Sequence, residues 1–157
     1  MSRDDTNEVA VRRRRSVSHP ILGPCTGYAD TEAHARAEIA PARLHEAAGA
    51  GYEEFSNVTA PVPASAAASL PLTQGTAGTR WIDGLTATTA DILAQYDHPH
   101  FRKWPAVTSR VHGAGRITTV GTVPGPELAR SLFSWAAKLA GTDDTWRPEH
   151  PRLARPI

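Results

Sequence analysis

Apolar and polar positions are most sharply patterned in the last third of the chain. PAVTSRV and GRITTVG, within residues 105–121, are β-branched runs separated by His112-Gly113-Ala114. Strand-favouring runs on either side of a glycine-containing break predict an antiparallel hairpin, with Gly113 and Gly115 free to take the positive φ of a tight connection. Residues 126–140, PELARSLFSWAAKLA, switch to a helical period. Leu128, Leu132, Trp135 and Leu139 fall on one stripe, with Glu127, Arg130, Ser134 and Lys138 elsewhere. Pro126 suits a first helical position and Gly141 a stop, so the spacing predicts a helix that lays its stripe on a sheet.

Upstream signals are shorter. Residues 19–28, HPILGPCTGY, read as the end of a buried strand entering a Gly/Pro turn. Residues 30–48 are rich in Ala, Glu and Arg and favour helix. Pro41 divides them, and the second piece, Ala42–Ala48, should close at Gly49. Tyr52–Phe55, Leu70–Leu72, Thr79–Ile82 and Asp91–Tyr96 are strand candidates, the last ending at a turn-prone Asp-His-Pro-His. Residues 60–69, APVPASAAAS, read as a loop. No internal repeat appears, and the order of elements predicts a mixed α/β layer.

Composition narrows the class. A chain of 157 residues, 40% hydrophobic and 21% charged, suits one domain with a buried core. Its net charge of +1 supplies no field toward nucleic acid or an anionic membrane. One Cys excludes an internal disulfide framework and a Cys-rich zinc site. No apolar stretch approaches the roughly 20 residues that span a bilayer. Residues 1–19 carry Arg12–Arg15 but no apolar stretch after it, so they read as a disordered basic arm rather than a secretory signal. Four arginines without interleaved aromatics are a weak nucleic-acid signal, and a solvated arm is the favoured reading. Residues 142–157, with Pro148, Pro151 and Pro156, read as a linker or tail. The default compartment is cytoplasmic.

The sharpest chemical candidate is Gly23-Pro24-Cys25-Thr26-Gly27. A G-x-C-x-G turn after a strand has the elbow pattern that exposes a nucleophile. Such a thiol needs an imidazole beside it and a carboxylate behind that. Glu149-His150 is the nearest pair in kind, but adjacent residues rarely face each other, so a small half-buried thiol is the favoured reading of Cys25. His98 and His100, even with Asp97 and His112, fall short of the three or four oriented ligands a metal requires, and a surface turn explains them better. Trp81, Trp104, Trp135 and Trp146 are possible sugar-stacking rings, with Trp135 better placed in the core. Glu53-Glu54 point to opposite faces of a strand, and no carboxylate pair suggests the spacing of a glycosidase, about 5–9 Å. Gly75–Arg80 is not a phosphate loop. These residues assign no catalytic, cofactor-binding or metal-binding position and call for no cofactor.

Three pieces taken in order carry a resemblance. GPCTGYADTEAHARAEIAPARLHEAAGAGYEEFSN, then TRWIDGL, then DILAQYDHPHFRKWPAVTSRVHGAGRITTVGTVPGPELARSLFSWAAKLAG, resemble the trimerisation domain of the glycoside hydrolase family 42 β-galactosidases, from about His19 to about Pro148. The resemblance implies a partial flavodoxin-like or class I glutamine amidotransferase-like α/β layer over residues 20–141. It implies a subunit-assembly part without catalytic residues, belonging to an enzyme that hydrolyses terminal β-galactosides. The expected partner is a copy of itself, trimeric in the family, or a separate catalytic barrel chain, with neither nucleic acid nor membrane. A (β/α)₈ barrel typically needs about 250 residues, so the catalytic barrel, the opening elements of the assembly domain and the closing β domain are expected to lie outside this chain. The competing reading is a free-standing cysteine-dependent, amidotransferase-like hydrolase using Cys25.

Overall fold

The computed structural model describes residues 18–140, so Arg12–Arg15, Trp146, Glu149, His150 and residues 142–157 lie outside the described residues. In chain order the elements are β1 (Ile21–Leu22), a 3-10 turn (Ala42–Leu44) running into α1 (His45–Ala48), β2 (Ala50–Asn57), β3 (Val62–Ala66), β4 (Ala77–Ala87), β5 (Asp91–Tyr96), a 3-10 turn (Phe101–Lys103), β6 (Pro105–His112), β7 (Gly115–Val120), β8 (Thr122–Pro124) and α2 (Pro126–Leu139). The eight strands form one sheet, and its pairings close on themselves. β4 pairs with β3, β3 with β5, β5 with β6 and β6 with β7, all antiparallel. β8 continues β7 past Gly121 and returns to pair with β4. β2 runs along the far half of β4, and β1 lies parallel to β7. Register shifts in the β2–β4, β4–β8 and β5–β6 pairings supply the extra bend that curling a short sheet requires.

Apolar side chains fill the curl. Val62, Ile82, Leu93, Tyr96 and Val107 belong to one cluster with Leu128, Leu132 and Trp135 of α2. Tyr96 is buried, and its hydroxyl donates to the Gly121 carbonyl at 2.9 Å, tying β5 to the β7–β8 junction. Gly84 is a close approach: a Cβ there would sit 2.7 Å from the Trp104 ring, so only glycine lets the indole lie flat on β4.

The local expectations with strong signals hold. β5 spans the residues read from the pattern. The 105–121 hairpin pairs in register from Val107↔Val120 to His112↔Gly115, with Gly113 at φ 59° in the turn. α2 starts on Pro126 and buries Leu128, Leu132 and Trp135, but Leu139 lies 51% exposed at its end. Gly49 closes α1 in the left-handed conformation.

The expected flavodoxin-like layer is overturned. Such a layer is parallel, with helices of a dozen or so residues crossing between strands. Here β1–β7 is the one parallel pairing among the described residues, and α1 has four residues. The first of the two helical pieces expected within residues 30–48, the one ahead of Pro41, folds instead into turns. The Asp30 side chain accepts from the N–H of Glu32 and of His34, both at 2.9 Å, and Ala33 takes φ 64°. A side-chain acceptor at the start of a segment competes with the helical ladder, and here it wins. Residues 60–69 contain β3 rather than only loop, because β4 and β5 on either side supply the pairing that Val-Pro-Ala-Ser-Ala would not choose alone. Leu70–Leu72 is not a strand, and Leu70 is held in the core from a loop.

Candidate functional site

The Cys25 turn follows β1 and is built around a buried carboxylate. Thr26 closes it by donating its N–H and its hydroxyl to the Gly23 carbonyl, at 3.3 and 2.7 Å. Cys25 sits at φ 61°, the strained geometry an elbow requires. Gly27 sits at φ 69°, and a Cβ there would lie 2.7 Å from the Pro41 backbone, so the turn needs glycine on two counts. Behind it is Asp83 of β4, 1% exposed. Its Oδ2 accepts from the Cys25 N–H at 3.2 Å, and its Oδ1 accepts from Trp81 Nε1 at 2.6 Å. The Tyr52 hydroxyl donates to the Thr26 carbonyl at 3.3 Å.

The electrostatics of this cluster oppose nucleophilic chemistry. Burial pushes Asp83 above the usual carboxylate range, and the bonds from Trp81 and Cys25 only partly pull it back. Burial and the neighbouring Asp83 both push the Cys25 thiol up. A nucleophilic cysteine needs the opposite shift. Among the described residues no histidine is bonded to Cys25. Asp83 holds the backbone of the turn, so the G-x-C-x-G pattern here serves structure.

The other singled-out residues are dispersed. His98 Nδ1 accepts from the N–H of His100 and of Phe101, capping the short 3-10 turn, while His112 stands apart at the hairpin end of β6. Among the described residues no three of His, Cys, Asp and Glu converge on a metal position. Trp104 and Trp135 are core residues. Trp81 stacks on Phe55, centroids 4.6 Å apart, and Tyr28 meets Phe55 edge-on at 5.9 Å. The β2–β4 pairing shifts register at Glu53-Glu54, so a bulge carries these two exposed carboxylates on strand β2.

Among the described residues, two hollows are each bordered by more than one exposed large apolar side chain. The first joins the Tyr28–Phe55–Trp81 rings to Ile39, around a hollow of about 190 Å³ lined also by Arg36, Glu38 and Glu53. The second lies at the hairpin tip and the end of α2. There Val111, 61% exposed, and Leu139 border a hollow of about 210 Å³ with His19 and Arg116. His19 is fixed by a 2.8 Å bond between Nε2 and Thr118 Oγ1 and by an edge contact with Trp135; burial, then the Arg116 charge, lowers its pKa. Sequence reasoning missed Asp83, Tyr28 and Phe55. For Asp83 a signal existed, an acid between Ile82 and Gly84 in an otherwise apolar run.

Residues 14–142 match the family described as the β-galactosidase trimerisation domain. The chain belongs to this family. The trimerisation domain is similar in fold to parts of solved β-galactosidases. It matches the enzyme of Bacillus circulans sp. alkalophilus with a TM-score of 0.73 and 17% identity, covering 80% of this chain and 19% of that one. For the cold-adapted enzyme of Rahnella sp. R3 the TM-score is 0.73 at 18% identity, covering 79% and 19%. For the polyextremophilic enzyme of the haloarchaeon Halorubrum lacusprofundi it is 0.70 at 24%, covering 78% and 18%. The trimerisation domain thus spans about a fifth of the length of these enzymes. No curated protein matches it by sequence. Among the described residues no helix is long and apolar enough to cross a membrane.

Proposed function

We propose that this chain is the subunit-assembly portion of a cytoplasmic glycoside hydrolase family 42 β-galactosidase and contributes contacts rather than chemistry. The observation that carries the reading is the family match over residues 14–142. The Cys25 turn supports it against the cysteine-hydrolase alternative: the thiol is exposed rather than half-buried, Asp83 bonds the turn's backbone rather than an imidazole, and the thiol pKa is raised rather than lowered. In this reading residues 20–141 are the assembly domain, residues 1–19 a basic arm and residues 142–157 a linker. The enzyme it serves hydrolyses terminal β-galactosides with retention, through two carboxylates on a catalytic barrel. The partner is a copy of this chain, as a trimer; a separate barrel chain is the second partner class. The assay is turnover of a chromogenic β-galactoside by the purified chain. None is expected, and hydrolysis abolished by replacing one of its own glutamates would overturn the reading.

A further inference from the structure

The two apolar surfaces differ in charge. Residues 28–40 and 50–57, which build the first, hold five carboxylates (Asp30, Glu32, Glu38, Glu53 and Glu54) against one guanidinium, Arg36. Residues 18–20, 111–117 and 135–140, which build the second, hold Arg116 and Lys138 and no carboxylate, while Arg110 leaves the other face of β6 and donates to the Glu46 carbonyl. A chain with both halves of a complementary pair on one folded domain finds the complement in a second copy. We infer that the acidic aromatic face of one chain docks on the basic apolar hollow of the next, head to tail, so that each copy uses both surfaces and the copies close a ring. This rests on the assembly reading above and assigns its surfaces.

Symmetry and local chemistry support the assignment. A patch that faces itself makes pairs, whereas a ring with an odd number of members needs two different surfaces on every subunit. The acidic side lies on β2, which pairs with β4 alone among the described strands. Its bulge and paired carboxylates discourage strand-to-strand addition, so the contact runs through side chains. Tyr28 and Phe55 offer the large apolar area that dominates interface energetics, and the hollow between Val111 and Leu139 offers an apolar seat. Arg116 is already oriented there. Its guanidinium donates to Ser109 Oγ at 3.1 Å and lies 5.8 Å from the Trp135 ring centre, so pairing it across an interface costs little further side-chain freedom. Opposite charges on the two faces steer the encounter and disfavour like-on-like docking.

The test uses the full 157-residue chain and two exposed-site double variants, Glu38→Arg with Glu53→Arg on the first surface, and Val111→Glu with Lys138→Glu on the second. Masses are read by light scattering, with melting curves to confirm folding. Each variant alone should run at the single-chain mass. An equimolar mixture should form a two-chain species and stop there, because one intact acidic face and one intact basic hollow remain to meet. Should a double variant melt early, Glu38→Arg or Lys138→Glu alone should raise the concentration of half-dissociation at least about tenfold, roughly 1.4 kcal/mol. An assembled wild type with either variant still fully assembled, or a mixture that stays single-chain, overturns the inference and leaves the assembly reading standing. A wild type at single-chain mass sinks the reading that copies of this chain assemble with one another, and the inference with it.

Discussion

Through one carboxylate, Asp83 holds both the backbone of the Cys25 turn and the Trp81 indole. Replacing it with Ala leaves the Cys25 N–H and the Trp81 indole N–H without their acceptor. Both bonds are only partly buried, so each donor left unpaired costs about 1–2 kcal/mol, the lower part of the range for a buried group, and Asp83→Ala should lose about 2–4 kcal/mol. At roughly 4 °C per kcal/mol for a domain near this size, the melting temperature falls about 8–16 °C. Asp83→Asn should behave differently. Its carbonyl still accepts from Trp81, and it buries no charge. The folded protein holds a proton on Asp83 more tightly than the unfolded chain does, because burial raises its pKa. The stability of wild type relative to Asp83→Asn is therefore greatest below the ordinary aspartate pKa of about 3.9 and declines as pH rises through the raised value. Urea unfolding of the three proteins at several pH values measures both effects, and Cys25 alkylation should quicken in the Ala variant as the turn loosens. If Asn costs as much as Ala at neutral pH, the two bonds to the charged carboxylate outweigh its burial and the reasoning is wrong.

Two further outcomes follow from the same turn. Gly27→Ala combines a positive φ with a 2.7 Å approach to the Pro41 backbone and should cost about 2–4 kcal/mol in urea unfolding; a loss under about 1 kcal/mol would mean that the turn slides off Pro41 freely. The pH profile of Cys25 alkylation should have its midpoint above the ordinary thiol value, since burial and Asp83 both raise it; a midpoint below that value would revive the nucleophile.

What could be read from the residues was local. The 105–121 hairpin, β5 and α2 carry their own signals, β-branched runs around glycines and a helical stripe that begins on Pro126. The architecture depends on pairings no local window contains. β8 finds β4 some forty residues upstream, with Thr79↔Val123 in register, and β3 is a strand only because β4 and β5 flank it. Residues 30–39 misled because propensity counts Ala, Glu and Arg as helix formers, while one acceptor on Asp30 decides the backbone. The Cys25 elbow was legible as a strained turn but not in its purpose, because the residue that explains it, Asp83, lies on another strand. The exposed rings of Tyr28 and Phe55 were silent, since neighbouring aromatics in space were separated in sequence by a stretch read as helix.

The assembly claim is tested most directly by the mass of the unmodified chain in solution, taken by light scattering across a concentration series. A mass approaching three times the single-chain 16.8 kDa is expected as concentration rises. A constant 16.8 kDa at every concentration, with the chain folded, would contradict it.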